Sequence, residues 1–347
     1  MTKTQSQNKP KNKIENQGSV ISDEPLIWVV SDGTAGMVAQ ALALAQAMDV
    51  SYFDVRIFAS PIYRVFPQMG AWPLMPISPR RNDRRLGPPW PDIIITCGKR
   101  SVGASLAIKR LSGGKTKIVQ IQDPKIDPSH FDVMICPQHD PISQGGMAKM
   151  AGLAKMIVSK GSLNRLKMTD IAREAKSLPK SVRAKKTHKT AVMVGGNNRR
   201  YKASADDFSR FGIALNKFAK SHDGHLVLIG SRRTPSYAMD AISASLGRVS
   251  HQIWDGKGDN PYPGILGVVD DVIVTSDSVN MASEVCLTGK PVYIAQLQEE
   301  SGRIAAFHEM MVAQGHTKPL GQSFDAPPEI LDEMASIAEQ TRKILGL

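Results

Sequence analysis

One unit keeps returning along this chain and restricts its fold more than any other feature: a short apolar run, a turn of small residues, then a stretch that is apolar at helical spacing. The first copy is residues 26–30 (L-I-W-V-V), which run into Ser31-Asp32-Gly33-Thr34-Ala35-Gly36 and then M-V-A-Q-A-L-A-L-A-Q-A-M. It recurs at residues 92–98 (D-I-I-I-T-C-G), followed by the helical K-R-S-V-G-A-S-L-A-I-K-R-L, and residues 117–124 and 132–137 read as two more buried strands. Near-continuous Ile/Val runs alternating with helices require a parallel sheet covered on both faces. A second series starts at residues 190–198 (T-A-V-M-V-G-G-N-N). It continues through a helix at 205–220, a strand at 225–230, a helix at 236–246, V-S-H-Q-I-W, a short helix at 262–269, a strand at 271–275, a helix at 279–288 and P-V-Y-I-A. The class is therefore α/β, with two Rossmann-like domains whose strand carboxyl ends, where ligands bind in such sheets, face a shared cleft.

A length of 347 residues suits two domains of ordinary size. Residues 1–24 are polar, Lys- and Gln/Asn-rich, and too poor in apolar side chains to offset the entropy of ordering, so they read as a tail. The first domain is expected over 25–165, a basic linker over 166–189 (Lys180, Arg183, Lys185, Lys186, Lys189), the second domain over 190–325, and a C-terminal helix over 326–347 that packs across one domain or the other. Apolar residues at 41% and charged residues at 22% exclude a disordered or collagenous chain. Cys97, Cys136 and Cys286 are widely spaced, with no C-x-x-C pair, which argues against a zinc site or a disulfide framework and fits a reducing cytosol. No apolar run reaches the roughly 18 residues of a membrane span, and the N-terminus lacks a signal-peptide core, so the expected place is the cytoplasm, with peripheral attachment to the inner membrane as the only membrane role.

The net charge of +12 points to anionic partners: phosphate-bearing substrates, an anionic membrane surface, or nucleic acid. Basic residues cluster at Arg80-Arg81 with Arg84-Arg85, at Lys99-Arg100, in the linker, and at Arg199-Arg200 with Lys202. The stretch 62–90 sets Tyr63, Phe66, Trp72 and Trp90 among prolines and arginines, and reads either as an insert lying on an anionic bilayer or as a solvated loop packed by its two tryptophans. Neither a helix-turn-helix nor an RRM-type aromatic motif occurs, so nucleic acid is disfavoured.

Candidate chemistry gathers at the strand ends. Gly33, Thr34, Ala35 and Gly36 form a strand-to-helix turn whose small residues let a ligand approach free backbone N–H groups; the alternative is a tight turn with Asp32 as its cap. The spacing is not G-x-G-x-x-G, which disfavours a nicotinamide dehydrogenase. Gly195, Gly196 and Asn197 end the second domain's first strand, where two glycines suit a phosphate or an acceptor chain passing over them, or a plain turn. Ser231, Arg232 and Arg233 lie between an apolar strand and a helix, and guanidinium groups there suit a diphosphate. Thr275, Ser276, Asp277 and Ser278 end a buried strand and enter a helix carrying Asn280, Met281, Ser283 and Glu284, with Tyr262 starting the short helix before it and Asn260 just ahead of that helix. A carboxylate pointing at a phosphate would repel it, so Glu284 is expected to accept hydrogen bonds from sugar hydroxyls instead.

Ser283-Glu284 and Thr288-Gly289-Lys290-Pro291 resemble the donor-nucleotide signature of GT-B glycosyltransferases, in which the glutamate holds the donor ribose and the loop holds the diphosphate. Over residues 26–320 the chain resembles the mitochondrial-fission "elongated mitochondria" family, whose bacterial members are taken to be glycosyltransferases. The likeness rests on W-V-V-S-D-G-T-A-G-M-V-A-Q-A-L, P-D-I-I-I-T-C-G-K-R, V-Q-I-Q-D-P, C-P-Q-H-D, S-R-R-T-P, D-N-P-Y and T-S-D-S-V-N-M-A-S-E. It implies a nucleotide sugar as donor substrate, no resident cofactor, and a glycan or lipid-linked acceptor. No D-x-D triplet occurs, which fits a metal-independent inverting displacement. Asp32, Asp123 and His139 are the candidate bases; Asp32 is favoured because it stands on the first loop, and His139 is the runner-up, against the reading of a lone loop histidine as solvated. A second reading keeps the fold and loses catalysis, leaving an adaptor that acts through protein or membrane contacts. No Ser-His-Asp or Cys-His order supports a hydrolase.

Overall fold

The computed structural model describes residues 24–57, 62, 65–72, 86–145, 155–183, 187–197, 201–254 and 260–347. The expectations placed on the tail up to residue 23, and on Tyr63, Arg80, Arg81, Arg84, Arg85, Lys185, Lys186, Arg199 and Arg200, lie outside the described residues.

The first domain is a sheet of β1 (Ile27–Ser31), β2 (Phe53–Arg56), β3 (Ile93–Cys97), β4 (Lys117–Ile121), β5 (Val133–Pro137) and β6 (Lys155–Ser159). All strands are parallel, in the order β2-β1-β3-β4-β5-β6. Because side chains alternate across a strand, Ile27, Val29, Ile93, Ile95 and Val119 pack on α1 (Ala35–Ala47). Trp28, Val30 and Ile94 turn to the other face, against Ala104 and Ile108 of α2 (Val102–Leu111). A one-turn helix, α3 (Pro141–Gly145), follows β5.

The residues between the domains are not a bare linker. α4 (Met168–Ser177) and α5 (Lys180–Arg183) form there, and Ile171 joins the second domain's core. The helix was hidden from sequence because α4 buries only a narrow apolar stripe within a basic composition. The crossing itself is the short stretch after β6, where the Ser162 N–H donates to Ser283 Oγ at 3.0 Å.

The second sheet contains β7 (His188–Val194), β8 (Gly224–Gly230), β9 (His251–Trp254), β10 (Asp271–Thr275), β11 (Val292–Ala295) and β12 (Lys318–Pro319). These are again parallel, in the order β12-β11-β10-β7-β8-β9. One face packs Val192, Leu228 and Ile273 on α6 (Ala205–Ser221) and α7 (Ser236–Leu246). α6 begins in a reciprocal cap, with the Ser204 hydroxyl on the Asp207 N–H and the Asp207 carboxylate on the Ser204 N–H. The other face packs Met193, Val272 and Val274 on α8 (Tyr262–Val268), α9 (Val279–Val285) and α10 (Arg303–Ala313). The last helix, α11 (Met334–Leu345), crosses back: Ile337, Ala338 and Leu345 enter the first domain's core, Lys117 Nζ donates to the Leu345 carbonyl at 2.8 Å, and Arg342 reaches the Met48 carbonyl at 2.6 Å.

In each sheet the strand order reverses once, between β1 and β3 and between β7 and β10. Adjacent loops leave in opposite directions at such a point and open a crevice beyond the strand ends. Both loop sets singled out above lie at these crevices.

Candidate functional site

At the first crevice, Asp32 follows β1 and Arg100 follows β3. The carboxylate of Asp32 accepts the Thr34 N–H and the Thr34 hydroxyl, both at 2.9 Å, and Arg100 Nη1 at 3.2 Å. Burial favours the neutral acid, but the Thr34 and Arg100 hydrogen bonds outweigh it and hold Asp32 below the usual carboxylate range. The N-cap of α1 is Thr34 rather than Asp32, and Gly33 turns the chain at φ +80°, where a side chain is strained. Ala35 opens the helix. Gly36 sits so close to the other domain that a Cβ there would lie 3.0 Å from Asn280 Nδ2. A file of glutamines ties this loop to its neighbours: Gln40 donates to the Gly36 carbonyl at 3.4 Å, Gln122 to Gln40 at 3.4 Å, and buried Gln120 to the Gln122 carbonyl at 3.1 Å.

At the second crevice a buried carboxylate, Asp277, fills the space between β7 and β10. It accepts the Gly196 N–H at 3.1 Å, the Thr275 hydroxyl at 2.7 Å and Arg233 Nη2 at 2.9 Å, while the same Thr275 oxygen accepts the Gly195 N–H at 2.7 Å. Burial pushes its acid up, against these hydrogen bonds. The glycines therefore make room for protein atoms along the directions of their missing Cβ atoms. A Cβ on Gly195 would fall 1.9 Å from Asp277 Oδ1, and one on Gly196 would fall 1.8 Å from the Arg233 carbonyl oxygen. Thr234 fastens the Ser231 turn to the Val194 and Gly195 carbonyls at 2.7 and 2.8 Å, and Ser231 Oγ accepts the Arg233 N–H at 3.2 Å. Asn197 closes the loop through Ala203 and Tyr237. Of the two guanidinium groups, Arg233 is tied to Asp277 and Arg232 projects into solvent.

The α9 residues divide. Ser278 caps the helix, its hydroxyl facing the Met281 N–H at 3.4 Å. Ser283 is on the domain seam, donating to the Val279 carbonyl at 2.8 Å while accepting the Ser162 N–H. Glu284, half-buried, accepts the Tyr262 hydroxyl at 3.2 Å through Oε2. Burial raises its acid above the ordinary value, with Tyr262 and Arg165 opposing that shift. Tyr262 is placed by Asn260, whose side chain accepts the Tyr262 N–H at 3.1 Å. Asn280 and Met281, half-buried at the start of α9, complete the rim.

His139 is not solvated. It is 9% exposed, its ring meets Phe307 edge-on at 5.1 Å, and burial lowers its basicity. The C-P-Q-H-D segment docks the first domain on α10: Asp140 pairs with Arg303 at 2.7 Å, and Gln314 donates to Gln138 at 3.1 Å. Asp123 is turned onto its own loop, accepting the Lys125 N–H at 2.8 Å between two left-handed residues, Gln122 (φ +65°) and Lys125 (φ +62°). Sequence reading missed a buried polar group beneath the second crevice. His308 Nε2 donates to the Ser276 carbonyl at 2.8 Å, Glu300 Oε2 lies 4.0 Å from that ring, and Tyr201 reaches both Ser276 Oγ (3.5 Å) and the Leu297 N–H (3.0 Å). Burial raises Glu300 and lowers His308. Their only sequence signal was polarity just beyond the β11 run. Among the described residues, no three His, Cys, Asp or Glu side chains converge as a metal site.

This architecture has known counterparts. The UDP-GlcNAc 2-epimerase of Methanocaldococcus jannaschii superposes with a TM-score of 0.54 and 11% identity over 92% of this chain and 98% of that one. The Neisseria meningitidis UDP-GlcNAc 2-epimerase, solved bound to UDP-GlcNAc, gives 0.51 and 14% over 92% and 90%. At such identities the likeness establishes the GT-B-type fold alone. In sequence, the chain is 26% identical to the mitochondrial fission protein ELM1 of Arabidopsis thaliana over 278 residues, 74% of this chain and 64% of that protein. It is 28% identical to an uncharacterised protein of Rickettsia prowazekii (strain Madrid E) over 304 residues, 77% and 82% of the two chains. The chain thus spans less than two thirds of the Arabidopsis relative's length. Residues 35–345 match the family described as Mitochondrial fission ELM1, and the chain belongs to that family.

Proposed function

We propose that this protein is a glycosyltransferase that binds a nucleotide sugar on its second domain and transfers the sugar to an acceptor, a glycan or lipid-linked hydroxyl, held by the first. The observation that carries the reading is Glu284: a carboxylate beside the second sheet's switch point, with Oε2 on Tyr262 and Oε1 available to a donor ribose. The solved bound UDP-GlcNAc of the Neisseria fold relative supports a nucleotide sugar as the class of ligand.

In the proposed reaction the acceptor oxygen attacks the anomeric carbon as the bond to the diphosphate breaks, without a metal or a resident cofactor. Asp32 is ionised at neutral pH, the state a base requires, and takes the proton as bonding to carbon makes the hydroxyl acidic. Its low basicity makes transfer late in the step. The leaving diphosphate meets Arg232, the exposed guanidinium at the second crevice, while Arg233 is held by Asp277. Gly36 against Asn280 brings the two loop sets to one place. Asp123 and His139 serve the frame in this reading.

Calorimetric titration of the intact protein with UDP, GDP, ADP, CMP and dTDP sugars tests the site. One donor should bind, and Glu284→Ala should weaken it by about a hundredfold or more, the cost of losing charged hydrogen bonds to two hydroxyls. Equal affinity in the variant would remove Glu284 from the site. No binding across the panel would favour the adaptor reading, in which the protein acts through protein or membrane contacts.

A further inference from the structure

Two helices on opposite faces of the first sheet begin at the same crevice. α1 has Thr34 at its N-cap and α2 has Ser101, neither side chain caps an N–H group, and no Asp or Glu stands in either first turn. The two starts are bridged. Arg100, the residue before the α2 cap, reaches Thr34 Oγ1 at 3.5 Å as well as Asp32, and Gly98 lies so near α1 that a Cβ there would fall 3.0 Å from Met37 Sδ. Each helix start brings positive potential and unshared N–H groups to the space beyond β1 and β3.

Two hydroxyls give a separate indication. Ser31 and Ser101 are 2% and 1% exposed, and among the described residues neither Oγ has a hydrogen-bond partner. Alternation along β1 puts Ser31 on the face of Ile27 and Val29, the α1 face, at the foot of that helix's first turn, while Ser101 is the α2 cap itself. Burying a hydroxyl unpaired is costly, so two of them at one pair of helix starts point to a shared acceptor from outside the chain. The charges fix its sign. Asp32 is paired with Arg100 and Asp123 with Lys125, whereas Lys99, exposed on the α2 turn, has no ion-pair partner among the described residues. Arg100, its side chain 57% exposed, also has donors to spare beyond Asp32 and Thr34.

We propose that the first crevice binds a phosphate or diphosphate ester carried by the acceptor, held by Lys99, Arg100, the Ser31 and Ser101 hydroxyls and the N–H groups of the two helix starts. A phosphate offers several strong acceptor oxygens at once, which suits donors arriving from both faces of the sheet. The inference rests on the reading that the first domain holds the acceptor, and it narrows that acceptor to a phosphorylated one whose free hydroxyl lies beside Asp32.

Calorimetric titration of the full chain with inorganic pyrophosphate, glucose 1-phosphate and farnesyl phosphate tests this. Binding is expected, weakened about tenfold in Lys99→Ala and again in Ser31→Ala/Ser101→Ala. The double serine variant should unfold at the same denaturant concentration as the parent or a higher one, because it removes buried hydroxyls that the fold does not pair. Preference for farnesyl phosphate would support a lipid-linked acceptor, and preference for glucose 1-phosphate a sugar phosphate. No binding of any of the three, or binding indifferent to these variants, would overturn the proposal. So would a less stable serine variant, since the hydroxyls would then serve the fold. Nucleotide-sugar affinity measured on the same variants keeps the two readings apart. Donor binding without phosphate binding would remove this inference alone, and phosphate binding without donor binding would remove the transferase and leave the anion site.

Discussion

Arg232 and Arg233 are neighbours of identical chemistry with different tasks. Arg233 neutralises a carboxylate that is fully inside the protein, whereas Arg232 has no ion-pair partner among the described residues. Arg233→Ala should therefore lower stability by about 1–3 kcal/mol, a range reduced from that of a fully buried pair because the guanidinium is partly solvated. Arg232→Ala should leave the denaturation midpoint alone and weaken donor binding about tenfold or more. Urea titration and calorimetry on the two variants separate these outcomes. Histidine gives a second test. Burial lowers both His139 and His308, so each folds as the neutral ring. Their contribution is complete above the unfolded value of about 6.5 and is lost as pH falls through the lower folded values. Stability should be level above pH ~6.5 and decline below it, and His139→Gln/His308→Gln should flatten that decline. An equal decline in the variant would assign the acid sensitivity to other groups. Sequence marked Asp32, Glu284 and the arginines by position after a strand. It left the partners unread, because Arg100, Tyr262 and Asp277 reach them through pairings distant in sequence.

Loops at the strand ends show where sequence reasoning stops for another reason. Two glycines after a first strand read equally well as ligand space or as packing space, and only neighbours separated by dozens of residues decide it. Here Asp277 and the Arg233 backbone occupy the space. Gly196→Ala should cost about 2 kcal/mol or more, since the obstacle is backbone and cannot swing aside, and a denaturant series compared with wild type would measure it. A variant as stable as the parent would mean that the Ser231–Thr234 turn moves freely, and the tight crevice described above would be wrong. The helices and central strands were legible because apolar periodicity is strong where both sheet faces are covered. β2 and β6 were not: they are edge strands, half-exposed, with only partial apolar runs. α4 was hidden by its charge, although Gly264 and Gly267 pack α8 against it, with a Cβ on Gly267 falling 2.6 Å from Ala175 Cβ.

At the scale of the whole molecule, two domains with a strand-order reversal apiece are joined by a few specific contacts: Asp140 with Arg303, Gln138 with Gln314, and Ser162 with Ser283, while Glu333 at the start of α11 fixes the crossing after β6 by accepting the Lys160 and Gly161 N–H groups at 2.8 and 2.9 Å. Gly36→Val would insert atoms between the first loop and Asn280 without entering either core. It should widen the cleft in small-angle scattering and slow transfer more than it weakens donor binding, because the acceptor loop is what moves. The two-domain organisation could be read from the β-α alternation, but the seat of α11 could not. An amphipathic terminal helix fits either domain until the position of the crossing after β6 is known. Sugar transfer is tested most directly by following a radiolabelled sugar from the bound nucleotide donor into a membrane extract supplied as acceptor. Incorporation with release of the nucleoside diphosphate, lowered about 10²–10⁴-fold in Asp32→Asn while donor affinity is retained, is the predicted result. A donor that binds wild-type protein but yields no labelled product with any acceptor fraction would contradict it.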